Sequence, residues 1–328
     1  MMFKKNLLNL ILPLLILFSS CQEKDANYLI EVSNNLDMPR QNETVEIPKS
    51  SFNNMLCQEF ERLVVTDQKT GTSLPSQVLD TDMDGELDIL VFQPVLEAGE
   101  TRKYNLIPQQ EPVDYTDMDV RTFSRFVPER TDDYAWENDR VAFRTYGPTA
   151  EKMIVDGTPG GTLSSGLDCW LKRVDYPIID KWYRKTLEEG GSYHKDTGEG
   201  LDDFHVGLSR GCGGIGIWSQ DEEKLYTSRN FSSWNTLAEG PLRTLFELEY
   251  QPWESPAGKI MEKKTISLDL GSNLMKVELT ISSQEQLESV SAGITLHEKD
   301  GTMHSDKEAG CFSYWQPHAD SEMGMGIV

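Results

Sequence analysis

The chain predicts an all-β protein in which a small N-terminal β-domain precedes a large antiparallel β-sandwich of the supersandwich kind. Three observations carry that prediction. Short segments alternate apolar with polar residues, Asn, Asp, Gly or Pro bounds them, and only one stretch has helical spacing.

Residues 1–20 read as a secretory leader, because Lys4 and Lys5 precede an apolar run over residues 7–18 that is too short to span a bilayer comfortably. An uncleaved membrane helix is the alternative. Phe18-Ser19-Ser20-Cys21 closes the run as a lipobox, so Cys21 is expected to carry acyl groups and residues 21–26 to form a lipidated tether. The expected location is the cell envelope, lipid-anchored at the outer membrane and facing the periplasm or the surface.

Residues 27–112 form the first β-domain, with strands expected at residues 28–32, 44–47, 63–65 and 87–92. Residues 109–119 lack apolar periodicity and read as a linker. Residues 113–328 form the second domain, whose longer strands are expected near residues 242–250, 259–268, 274–282 and 290–297. Residues 178–188 alone argue for a helix, since Ile178, Ile179, Trp182 and Tyr183 fall near one face. Residues 323–328 stop in a strand-like segment without a polar tail, so the sandwich is expected to be truncated there.

Loss of the leader removes two lysines and no acid, leaving 54 acids against 29 bases. Nucleic acid is excluded as a partner, because phosphate binding needs a basic footprint. An anionic sugar stays open, since a local pocket of Arg and Lys can oppose the global field. Cys57, Cys169, Cys212 and Cys311 show no C-x-x-C pairing and are expected as buried thiols, with at most one bridge. The glycines of residues 211–216 lack the strand-to-helix context of a phosphate loop, so no nucleotide is expected and close backbone approach is.

Proton-transfer groups concentrate in residues 192–214, SYHKDTGEGLDDFHVGLSRGCGG. Few apolar residues occur there, so a site is the natural explanation. His194 is the expected base, with Tyr193 or His205 as acid, because an unperturbed imidazole titrates near neutral pH. Residues 130–140 mix aromatic with charged side chains as sugar sites do, which makes Arg130, Tyr134, Trp136 and Arg140 candidate substrate contacts. The alternative for Trp136 is a core position. Lys181, Arg210 and His318 complete the candidate substrate-binding set.

Asp80, Asp82, Asp84 and Asp88 alternate before and after the Gly85 turn as in calcium loops, although Val91 stands where an EF-hand requires Glu. A hairpin with Asp84-Gly85 at its turn is the alternative. No cofactor is required by the sequence. A divalent cation is the one candidate, with His194, Asp196, His205 and His318 as further donors.

RTDDYAWENDRVAFRTYGP, SGLDCWLKRVDYPIIDKWY, YHKDTGEGLDDFHVGLSRGCGG and QVLDTDMDGELDILVFQPVLEAGE together resemble a family of bacterial lipoproteins long labelled a domain of unknown function. Its members are encoded among polysaccharide-degrading enzymes, and one branch is described as oligosaccharide dehydratases acting on ulvan. The resemblance implies elimination of water from a non-reducing-end uronic acid of an anionic oligosaccharide. Arg140 or Arg210 would then hold the carboxylate. Two other readings remain: a hydrolase pairing Glu199 with Asp202 or Asp203, and a non-catalytic surface lipoprotein that stacks glycans on Trp136 and Trp182.

Overall fold

The computed structural model describes residues 28–112, 118–319 and 321–328. The leader, Cys21 and part of the expected linker lie outside them. Antiparallel strands dominate, in several sheets. The alternating segments fall where expected, as strands Tyr28–Ser33, Val45–Pro48, Leu63–Asp67 and Ile89–Phe92 in front, and Arg243–Tyr250, Gly258–Asp269 and Lys276–Ser282 behind.

The front strands form a four-stranded and a three-stranded sheet around Leu56, Phe60, Val65, Phe92 and Leu106. Gln77 ties this unit to the rest. Its amide accepts from the backbone N–H groups of Leu242 and Arg243 and donates to the Arg243 carbonyl. Leu79 and Val91 pack on Leu242 at the same junction.

Five strands from Phe123–Val127 to Gly200–Leu201 make the sheet that matters most here. One face packs against the sheet containing Phe231–Ala238, Arg243–Tyr250 and Gly258–Asp269, so Trp136 and Phe143 meet Phe246, Leu248 and Ile266 in a sandwich core. The opposite face carries Ala135, Ala142 and Trp170 under the helix Ile179–Leu187. Strands Asp133–Glu137 and Val141–Thr145 are therefore buried at every residue, with both faces covered.

The Ile179–Leu187 helix confirms the single helical stretch that the spacing marks, and its placement has an electrostatic cause. No side chain of its own N-cap residue caps it. Glu137, from the sheet below, accepts from the backbone N–H groups of Ile178 and Ile179 and from Lys172 Nζ at 2.8 Å. A carboxylate there satisfies orphan donors and faces the positive end of the helix. The helix Pro148–Val155 is an addition to the sequence reading. Proline at its first turn, where no N–H partner is needed, starts it.

The glycine-rich run becomes the strand Cys212–Ser219, and a Cβ on Gly211 would meet the Leu167 carbonyl oxygen at 2.0 Å. Only glycine permits that approach. The final strand, Ser321–Ile327, pairs with Cys311–His318, and both pack on Phe204 and Val206. No helix of the described residues is long and apolar enough to cross a membrane.

Candidate functional site

Period-two alternation sends Asp133 and Arg144 to the helix-covered face of the central sheet while Tyr134 and Phe143 enter the sandwich core. Arg144 lies directly opposite Asp168 in the strand register. Its guanidinium reaches Asp168 at 2.5 Å, Asp202 at 2.8 Å and Asp133 at 3.8 Å. Tyr146, Trp170 and Tyr193 surround the cation with their rings, Trp170 at 5.3 Å from centroid to guanidinium carbon.

Three buried carboxylates exceed the charge that Arg144 can neutralise, so the cluster favours holding a proton. Burial first, then Asp168, push Asp202 up to about 8 against the pull of Arg144. Asp133 rises to about 6, again chiefly by burial, while Arg144, Arg130 and the Tyr183 hydroxyl hold it down. Asp133 and Asp202 each leave Oδ1 buried without a partner. That arrangement costs less for a neutral acid than for a carboxylate.

Tyr193 and His194 stand above this cluster. The Tyr193 oxygen accepts from Arg144 Nη1 at 3.1 Å and from Arg130 Nε at 3.4 Å. Both lone pairs are then engaged, and the phenolic proton is what remains to offer. His194 Nδ1 lies 2.7 Å from the Asp202 carbonyl oxygen and 3.6 Å from its carboxylate. A carbonyl only accepts, so Nδ1 carries a ring proton, and in the neutral ring Nε2 is the free acceptor. The His194 side chain is 57% exposed, against 4% for Tyr193, and their rings meet edge to face at 4.5 Å.

Tyr193, His194 and Arg130 thus come together, but other expected residues do not join them. Trp136 is fully buried between Phe143 and Phe246, and Tyr134 is a core residue whose hydroxyl meets Ser124 and Thr236. Neither ring can face a sugar. Arg140 sits at the opposite end of its strand from Arg144, about 13 Å away at the usual rise per residue, in an open groove with Arg173 and Tyr176. Lys181 is exposed and pairs with Glu199 at 2.5 Å. Arg210 is buried and donates to Ser165 Oγ and the Ile215 carbonyl.

His205 and His318 gather elsewhere, in an open cavity of about 690 Å³ that includes His297. Asp203 marks its edge, accepting from His318 Nε2 through its carbonyl at 2.6 Å. The Gln316 side-chain Nε2 lies 2.9 Å from His297 Nδ1, and the backbone N–H of His205 approaches His297 Nε2 at 3.4 Å. The Gln316 Oε1 is buried without a partner. Burial, then His318, pull His297 below the ordinary imidazole range.

Asp196 is absorbed by its own turn and by Arg173, and does not meet His194, His205 and His318 in a ligand set. Among the described residues, Asp80, Asp82 and Asp88 alone bring ligand atoms within 4.8 Å of one another. Asp84 lies outside that group and accepts from the Glu86 N–H. The flanking strands Ser76–Leu79 and Ile89–Phe92 do pair as a hairpin, but a nine-residue loop joins them in place of a tight Asp84-Gly85 turn.

Sequence reasoning passed over Asp133, Arg144, Asp168 and His297. Arg144 had a signal: it is the lone charge in an apolar strand, and buried charges need partners. The family described as "Domain of unknown function (DUF4861)" matches residues 32–328. The chain is also 46% identical over 314 residues to "Uncharacterized protein P7" of Formosa agariphila, an alignment covering 95% of this chain and 78% of that protein.

Proposed function

The chain belongs to the DUF4861 family, and from that premise we propose that it is a carbohydrate-active lipoprotein that eliminates water from the non-reducing-end uronic acid of oligosaccharides. In this reading His194 Nε2 takes the C5 proton and Tyr193 gives its phenolic proton to the departing C4 hydroxyl. The C5–H and C4–O bonds break, a C4=C5 bond forms and water leaves. Arg130 opposes the sugar carboxylate, whose neutralisation acidifies the C5 proton. Arg144 is saturated by aspartates and keeps a positioning role.

One observation carries the reading. The Tyr193 oxygen is filled by two guanidinium donors while the adjacent His194 has Nδ1 committed to a carbonyl, so a proton donor and a proton acceptor stand side by side. The two-carboxylate hydrolase finds less support, because Asp202 is buried against Arg144 and Glu199 is held by Lys181 and Tyr176. Glycan stacking on Trp136 and Trp182 finds less still, since both rings are buried. Elsewhere, the Asp80 loop is offered as a calcium site, and Cys21 as the lipid attachment that places the protein at the outer membrane.

Incubation with uronate-ended oligosaccharides tests the proposal. Elimination predicts new absorbance at about 235 nm with a mass loss of about 18 Da, the outcome of base removal at C5. Hydrolysis would add water without that absorbance. A pure binder would change neither, and either result overturns the reading.

A further inference from the structure

We propose that the cavity ringed by His205, His297 and His318 is a second saccharide position, which holds a sugar of the anionic oligosaccharide away from its reacting end. The elimination reading supplies only the identity of that sugar. The cavity's capacity to bind is argued on its own geometry.

At about 690 Å³ the cavity has the size of a small-molecule site and far exceeds an inorganic ion. Its wall is divided by chemistry. Leu208, Leu296 and Pro317 offer an apolar surface suited to the C–H face of a pyranose, and the three imidazoles offer hydrogen bonds to its hydroxyls. Lys299 adds a fixed positive charge. Glu298 on the lining and Asp203 at its edge stand against that charge, so the sugar would be held by its hydroxyls and its C–H face more than by charge.

Backbone strain gives a separate indication. His297, Lys299 and Ala319 all line the cavity and all adopt left-handed φ values, of 39°, 62° and 49°. Non-glycine residues enter that region at a cost, and such residues concentrate at binding sites. Leu208, on the rim, is 94% exposed. A large apolar side chain so placed gains most when a ligand covers it.

Position links the cavity to the Tyr193–His194 face. His194 is fastened to the carbonyl of Asp202 and His318 to that of Asp203. The two attachment residues are about 3.8 Å apart along the chain. One oligosaccharide would engage both sides of this backbone segment. A metal ion fits less well, because the three imidazoles do not bring their nitrogens as close together as the Asp80 group does its oxygens.

The test uses the full chain with ¹³C-labelled histidines, titrated with a glucuronate-ended tetrasaccharide, the corresponding disaccharide and inorganic sulfate. Resonances are assigned by single substitutions, and His304, exposed on its own strand, serves as the control. The tetrasaccharide is expected to shift His194, His205, His297 and His318 saturably and leave His304 still. The disaccharide is expected to shift the cavity histidines less, and sulfate not to reproduce the pattern. Leu208→Ala should weaken tetrasaccharide binding about fivefold, from lost apolar contact, with an unchanged melting temperature.

Shifts at His194 alone, no shifts, the same pattern from sulfate, or wild-type affinity in Leu208→Ala would each overturn the inference. Cavity shifts without absorbance at about 235 nm would retire elimination and leave the binding position standing. Absorbance with silent cavity histidines would do the reverse.

Discussion

Asp202→Asn isolates the proton held around Arg144. Asp202 is fully buried and is pushed up to about 8 by burial and Asp168, whereas an unfolded-chain aspartate titrates at about 3.9. Between those values the folded protein holds a proton that the unfolded chain has released. The resulting stability is fully present below about pH 4 and is lost as pH rises through 8. One retained proton corresponds to a slope of about 1.4 kcal/mol per pH unit, or about 4 kcal/mol between pH 5 and pH 8. Asparagine keeps the shape and an acceptor for Arg144 Nη2 but cannot titrate. Urea unfolding of both proteins at several pH values measures the effect. The variant should gain on wild type by about 4 kcal/mol as pH rises from 5 to 8. A stability difference that stays constant across that range would refute the retained proton.

Three other substitutions separate structure, chemistry and location. Trp136→Ala should lose about 3–5 kcal/mol of stability in urea, because the ring fills the sandwich core; an unchanged midpoint would contradict its placement. Tyr193→Phe should cut elimination by about a hundredfold, as loss of a general acid does, with the ring still packed on Trp170; wild-type turnover would return the acid role to another group. Cys21→Ala should release the protein from the membrane fraction or leave an unprocessed precursor, and an unchanged mature mass and fraction would exclude the lipid anchor.

The strands were legible because each combines alternation with bounding turn residues, as in residues 28–32 and 259–268. Side-chain roles were less so. In Asp133-Tyr134-Ala135-Trp136-Glu137 both faces are buried, and a sequence of mixed aromatic and charged residues does not reveal which face meets a core and which a polar cluster. The aromatic Trp136 looked like a sugar platform for that reason. Arg144 was visible as a charge in an apolar strand, but its partners come from Asp133, Asp168 and Asp202 on other segments, and one sequence does not state cross-strand register. Tyr193, His194 and Arg130 were found because the first two lie in a segment too polar for a core. His297 escaped notice because it enters the His205 cavity from 92 residues away.

The most direct measurement of the central claim is the rate of unsaturated-product formation by His194→Ala on a uronate-ended oligosaccharide. His194 is exposed and anchored to the backbone by one ring nitrogen, so its removal should shift the melting temperature by only a few degrees. The account predicts a fall of about a hundredfold or more in absorbance gain at about 235 nm, the usual cost of deleting a general base. A folded variant that keeps the wild-type rate would contradict it.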